Sequence, residues 1–172
     1  MMGKKFYYFA FGSNLLRQRM ELNKYSYLKF STIAKLNDFK LDFGWNSKTW
    51  NGAVATIIPC CGSHVWGVVW TMDVDDINIL NEQEGVSSGV YEPFSVDVAT
   101  PNDEIIQCRS YRLLKEKLES DKPSKSYLDV IIKGALQHNL PRDYVQWLKH
   151  RESNGLQASK SAMEKFACLF EN

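Results

Sequence analysis

A chain of 172 residues with 44% apolar content can fill one hydrophobic core and leaves little material for a second. Its 21 basic and 20 acidic residues give a net charge of +1 and are interspersed, which removes the electrostatic case for nucleic acid or an anionic membrane as partner. No apolar run reaches membrane-spanning length, and Met1-Met2-Gly3-Lys4-Lys5 is not followed by a signal-peptide pattern, so a cytoplasmic protein is expected.

The first element is a strand over Phe6–Phe11, where aromatic residues suit a pleated, buried segment. It runs into Gly12-Ser13-Asn14, a tight turn whose Ser13 or Asn14 can cap the helix that continues to about Glu21, with Leu15, Leu16 and Met20 facing inward. Such a turn is either a plain capped corner or a cradle of unpaired N–H groups for a carboxylate, phosphate or oxyanion. Residues 25–32 show no period. Alternation at Phe39, Leu41 and Phe43 predicts a strand over 33–43, and a short strand over 53–58 is expected to stop at Pro59. Cys61-Gly62-Ser63 reads as a turn into a strand over 64–72, in which Gly67 marks a bulge or a close backbone approach.

Asp73 and Asp75 are N-cap candidates for a helix to about Gln83, which Gly85 would end. Strands are expected over 90–99, with Pro93 toward an edge, and over 104–114, joined by the turn Pro101-Asn102-Asp103. A charged connector leads to a helix capped by Ser124, whose buried side should be Leu128, Ile131, Ile132, Ala135 and Leu136. Pro141 opens another helix, expected to end near Asn154-Gly155. An amphipathic tail spans Ser159 to Phe170. The pattern is α+β, and short hairpin-linked strands favour a small mixed β-barrel of about six strands with flanking helices. The expected organisation is a single domain over 1–172, with a catalytic core at 6–150 and a variable tail at 153–172.

Cys60, Cys61, Cys108 and Cys168 lack CxxC spacing, and His64, His138 and His150 are scattered. Neither a disulfide framework nor a metal site is expected. Asn81-Glu82-Gln83-Glu84-Gly85-Val86 is more informative, because two glutamates crowd a helix C-terminus, where the macrodipole disfavours negative charge. Two residues apart, they point to nearly opposite sides, so only one can face a pocket. A carboxylate pushed there into aromatic surroundings has its pKa raised, which suits a general base; a solvated helix end is the alternative.

FAFGSNLL at Phe9–Leu16, KLDFG at Lys40–Gly44, VWGVVW at Val65–Trp70, NEQEGV at Asn81–Val86 and CRSY at Cys108–Tyr111 occur in this order. Together they resemble the gamma-glutamylcyclotransferase family, in the branch acting on gamma-glutamyl amino acids, over about residues 6–150. The resemblance implies a small β-barrel and cyclisation of a gamma-glutamyl amino acid to 5-oxoproline with release of the free amino acid. It implies no metal or organic cofactor, and a cytosolic, commonly homodimeric protein. Glu84 would be the catalytic glutamate. The substrate would be held by Tyr8, Phe9, Ala10, the Phe11-Gly12-Ser13-Asn14-Leu15 loop, Tyr91, Tyr111 and Tyr127. Phe11 stands where the family usually has tyrosine. Asn81 replaces a frequent aspartate, a change expected to alter only the helix surface. The same chemistry on glutathione or gamma-glutamyl-lysine, and a non-catalytic gamma-glutamyl-binding module, are the alternatives.

Overall fold

The computed structural model describes residues 3–171; Met1, Met2 and Asn172, at the ends of the expected domain range, lie outside it. Five strands close into a barrel: β1 (Lys5–Ala10), β2 (Leu28–Ser47), β3 (Gly52–Asp73), β4 (Tyr91–Ala99) and β5 (Ile105–Leu113). Their order is β1-β3-β2-β4-β5, antiparallel throughout except where β5 meets β1 in parallel at Tyr8 and Arg109, which closes the sheet. Closure leaves few open edges and fills the interior with side chains.

The strand count is five because the segments at 53–58 and 64–72 form one strand. Pro59 does not end it but pairs with Phe39. The ladder steps there from Asn37–His64 to Phe39–Pro59, so Cys60–Ser63 bulge outward opposite the single residue Asp38, whose carboxylate accepts from the Gly62 N–H at 2.9 Å. The expected turn is thus absorbed as a large bulge, which bends a long strand around the barrel. Likewise β2 begins at Leu28, inside the stretch expected to be irregular. A register shift between Phe30 and Thr32 breaks the alternation by which it could be recognised. Pro93 sits on a β4 stretch that pairs with β5 alone, since β4 meets β2 only at Lys35–Ala99, so its missing N–H costs no ladder bond.

Among the described residues six helices flank the barrel: α1 (Arg17–Glu21), α2 (Ile77–Gln83), α3 (Lys125–Gln137), α4 (Arg142–Lys149), α5 (Lys160–Lys165) and α6 (Ala167–Phe170). Leu15, Leu16 and Met20 are fully buried as expected, although a single 3-10 turn at Ser13–Leu15 precedes α1. Asp73 caps the turn leading to α2, Ser124 caps α3 by accepting from the Tyr127 N–H, and Ser159 caps α5. On α3 the buried side runs through Tyr127, Ile131, Gly134 and Ala135, which turns Leu136 out to 51% exposure, against expectation. α4 ends at Lys149, earlier than expected. Asn154 instead ties the loop after α4 back to Asn51 and Pro123. The tail packs inward, with Ala162, Phe166 and Leu169 buried and Phe166 stacked on Trp50 at 5.9 Å. Among the described residues no helix is long and apolar enough to cross a membrane.

Gly134 seats the turn after β1 on α3. A Cβ there would stand 2.6 Å from both Leu15 Cβ and the Leu16 nitrogen, so only glycine lets the Ser13–Leu15 turn lie against this helix. Two turns earlier on the same helix, the Tyr127 hydroxyl reaches the start of this turn, 3.4 Å from where a Gly12 Cβ would stand.

Candidate active site

At one end of the barrel, β1 leaves its sheet at Ala10 and turns at Gly12. A small cavity of about 30 Å³ opens there, lined by Tyr8, Phe11, Gly12, Ser13, Asn14, Ala55, Glu84, Tyr91, Tyr111 and Tyr127. The chain segments that meet are far apart in sequence: β1 and its turn, the start of β3, the end of α2, the starts of β4 and α3, and β5. Gly12 is fixed by crowding, since a Cβ would come 3.1 Å from that of Ala55 and 3.4 Å from the Tyr127 hydroxyl. Leu15 and Leu16 donate their N–H groups to the Gly12 and Ser13 carbonyls. Those bonds leave the N–H groups of Gly12, Ser13 and Asn14 outside the turn's own pattern, as at any helical start.

Glu84 is the acidic residue of this cavity. It caps the C-terminus of α2, and Gly85 comes next at φ +65° to end the helix as expected; Glu82 is exposed. One oxygen of Glu84, Oε1, accepts from the Tyr8 hydroxyl at 3.1 Å and from Asn14 Nδ2 at 2.9 Å. Oε2 has no hydrogen bond among the described residues. Desolvation pushes the carboxyl up to about 7, and the Tyr8 hydrogen bond and the Arg19 charge oppose that rise. At neutral pH the group is therefore divided between acid and base forms.

Asn14 is pinned on every side. Its Nδ2 also donates to the Tyr8 hydroxyl at 2.9 Å, its Oδ1 accepts from Gln83 Nε2 at 2.5 Å, and its carbonyl accepts from the Trp70 indole at 3.0 Å. Gln83 is held in turn by the Tyr25 hydroxyl at 2.7 Å and by Asn23. Tyr91 donates to the Ala55 carbonyl at 2.5 Å, while Tyr127 accepts from the Ala55 N–H at 3.1 Å. Burial holds the phenols of Tyr8 and Tyr91 well above their ordinary range and pushes those of Tyr111 and Tyr127 up to about 12. All four remain neutral hydrogen-bonding groups.

Of the sequence-derived site residues, Tyr8, Phe11, Gly12, Ser13, Asn14, Glu84, Tyr91, Tyr111 and Tyr127 meet at the cavity. Phe9, Ala10 and Leu15 do not line it: each is fully buried, Phe9 and Ala10 against Gly67 and Leu15 against Gly134. Asn81 differs from expectation. Its Oδ1 accepts from the Tyr111 hydroxyl at 2.7 Å and from Arg109 Nη2 at 2.9 Å, and Arg109 Nε donates to Tyr111 at 2.8 Å. It therefore belongs to the support of the pocket. Sequence reasoning misses Asn81, Gln83, Tyr25 and Arg109 as site residues; only the placement of Asn81 and Gln83 beside Glu84 hints at such roles. Among the described residues no group of three or more His, Cys, Asp or Glu could hold a metal ion.

Residues 64–148 match the model of the AIG2-like family. The chain is 46% identical over 155 residues to human gamma-glutamylcyclotransferase, covering 88% of this chain and 81% of that protein. To the bovine gamma-glutamylcyclotransferase it is 45% identical over 156 residues with the same coverage. The chain belongs to the gamma-glutamylcyclotransferase family. A solved gamma-glutamyl cyclotransferase structure superimposes with a TM-score of 0.88 at 41% identity, covering 96% of this chain and 99% of that one. Little of either chain is left out of that superposition.

Proposed function

We propose that this protein converts a gamma-glutamyl amino acid into 5-oxoproline and the free amino acid, with Glu84 moving the protons. The observation that carries the reading is the Glu84 carboxyl, poised near 7 with one oxygen tied and the other unpartnered, facing a turn with three N–H groups at its start. A base works best when its pKa lies near the operating pH.

The substrate's α-amine attacks its own γ-carbonyl, closing a five-membered ring, so no protein nucleophile is needed. Free α-amines have a pKa of about 8 and are mostly protonated at neutral pH. The ammonium first gives up one proton to solvent, the resulting amine attacks, and Glu84 takes a second proton from that nitrogen as the C–N bond of the ring forms. It then returns one to the departing nitrogen as the original amide bond breaks, which leaves 5-oxoproline and a free amine. The N–H groups of Gly12, Ser13 and Asn14 take a negatively charged oxygen of the bound glutamyl group. The tyrosine walls hold a flexible substrate curled for attack, and positioning of that kind contributes several kcal/mol. Phe11 supplies shape here but no hydroxyl. A homodimeric, cytoplasmic enzyme acting on a small substrate is part of the same reading, and sedimentation velocity tests the dimer.

Glu84→Gln tests the mechanism. The variant should fold and bind substrate while turnover falls by about 10²–10⁴; near-normal release of 5-oxoproline would take Glu84 out of the reaction. Turnover of gamma-glutamyl-alanine, glutathione and gamma-glutamyl-lysine, compared side by side, tests the choice of donor.

A further inference from the structure

The small cavity opens into a broader one of about 450 Å³, which shares Ser13, Glu84, Tyr91 and Tyr127 with it. Trp45, Trp50 and Phe166 supply its aromatic walls, and Arg19 and Lys117 its positive charge; among the described residues Glu84 is the only acidic one in its lining. Arg19 is unusual. Its Nε is buried without a hydrogen-bond partner among the described residues, and its guanidinium lies over the Phe166 ring at 5.0 Å. It takes part in none of the ion pairs among the described residues. A buried guanidinium is normally matched by an anion, because desolvating it alone is costly. Burial accordingly lowers the Arg19 pKa from its ordinary value, although a guanidinium stays charged. Glu84 feels the Arg19 charge across the cavity but forms no ion pair with it among the described residues, so the guanidinium lacks a direct anionic partner.

We propose that Arg19 and the rings around it form the subsite for the leaving amino acid, with the guanidinium receiving that amino acid's α-carboxylate. The inference rests on the cyclotransferase reading above, which places the bond to be broken at Glu84. Glu84 borders both cavities, so a glutamyl group held in the inner one directs its leaving half into the outer one. Arg19 lines only the outer cavity and therefore meets the leaving half. Flat ring walls accept side chains of many shapes, whereas a planar guanidinium fork selects a carboxylate. The enzyme thus reads the free carboxyl end and tolerates the side chain. A gamma-glutamyl group on an amino acid whose carboxyl is blocked, as within a polypeptide, is disfavoured.

The test compares gamma-glutamyl-alanine with gamma-glutamyl-alaninamide, which lacks only the leaving carboxylate. The wild-type enzyme should favour the acid by about 10- to 100-fold in kcat/KM, the usual worth of a hydrogen-bonded charge pair. Arg19→Met should erase the preference by lowering the acid to the level of the amide, and Arg19→Lys should restore part of it. Equal handling of the two compounds by the wild type, or an equal loss for both in Arg19→Met, overturns the proposal. The wild-type ratio stands even if the variant folds poorly. Calorimetric binding of both compounds to Glu84→Gln separates the two readings. Tighter binding of the acid without turnover in the wild type upholds the subsite and sinks the reaction. Turnover without any preference does the reverse, and binding of neither compound sinks the subsite.

Discussion

The inner pocket and the outer cavity are adjacent yet built in opposite ways. In the inner pocket polar groups are tied to one another: Asn14 to Tyr8, Gln83 and Glu84; Tyr111 to Asn81 and Arg109; Tyr91 and Tyr127 to the two polar groups of Ala55. The outer cavity offers rings and a guanidinium whose Nε has no partner. The inner residues come from barrel strands and the helix turns seated on them. The outer ones come from α1, the β2–β3 corner and the C-terminal segment. Where bonds change, groups must be held within fractions of an ångström, and satisfied networks provide that. Where a product only departs, one orienting charge is enough.

If this contrast is right, the largest loss short of Glu84 itself comes from Asn14→Ala. That change removes both bonds from Nδ2, leaves Gln83 Nε2 without its acceptor, and frees Glu84 to rotate. Asn14 positions Glu84, so kcat should fall by about 100-fold, within the range of general acid–base effects, while KM moves little. The unpaired neighbours should also lower stability by about 1–3 kcal/mol, read by thermal or urea unfolding. A loss confined to KM would mean that Asn14 serves the substrate directly.

How far this contrast can be read from sequence differs between the two regions. Gly12, Glu84 and Tyr111 are legible because each sits in a short motif and the motifs occur in a fixed order, whereas Tyr8, Tyr91 and Tyr127 lie outside those motifs and follow only from the family resemblance. Phe9, Ala10 and Leu15 join them only by proximity in sequence. A strand alternates its faces, however, and Phe9 goes opposite to Tyr8, while Leu15 is needed against Gly134. Asn81 escapes a sequence reading because its partners lie on β5, 28 and 30 residues away, and no local pattern shows such a pairing. Pro59 misleads for a related reason: a long bulged strand looks locally like two short ones. Arg19 gives no signal, since an arginine two residues after another in a short helix reads as a solvated face. Its meaning appears only once Phe166, nearly 150 residues on, is packed over it.

Tyr8→Phe sharpens the comparison through pH. The hydroxyl donates to the ionised form of Glu84 and so lowers its pKa from where desolvation alone would set it. Deleting it destabilises the carboxylate and moves the pKa above 7. On the proposed mechanism activity requires the carboxylate, so it rises with pH through that value. The rising limb of kcat/KM should therefore shift to higher pH, with a loss of about tenfold at pH 6.5 that shrinks toward pH 8.5. An unshifted profile would show that this hydrogen bond does not tune the base.

The smallest effect should come from Phe166→Leu, on the other side of the contrast. Leucine keeps an apolar contact with Trp50 but loses the face over which the Arg19 guanidinium lies, a contact worth about 0.5–2 kcal/mol in partly desolvated settings. Arg19 then loses its fixed orientation but keeps its charge. KM for gamma-glutamyl-alanine should rise by a few-fold, within about the same energy, while kcat and its pH profile stay as in the wild type. Steady-state kinetics with the free acid measures both. A fall in kcat comparable to that of Asn14→Ala would mean the tail reaches the reacting groups, because a rim that only orients the leaving carboxylate has no route to the proton transfer at Glu84.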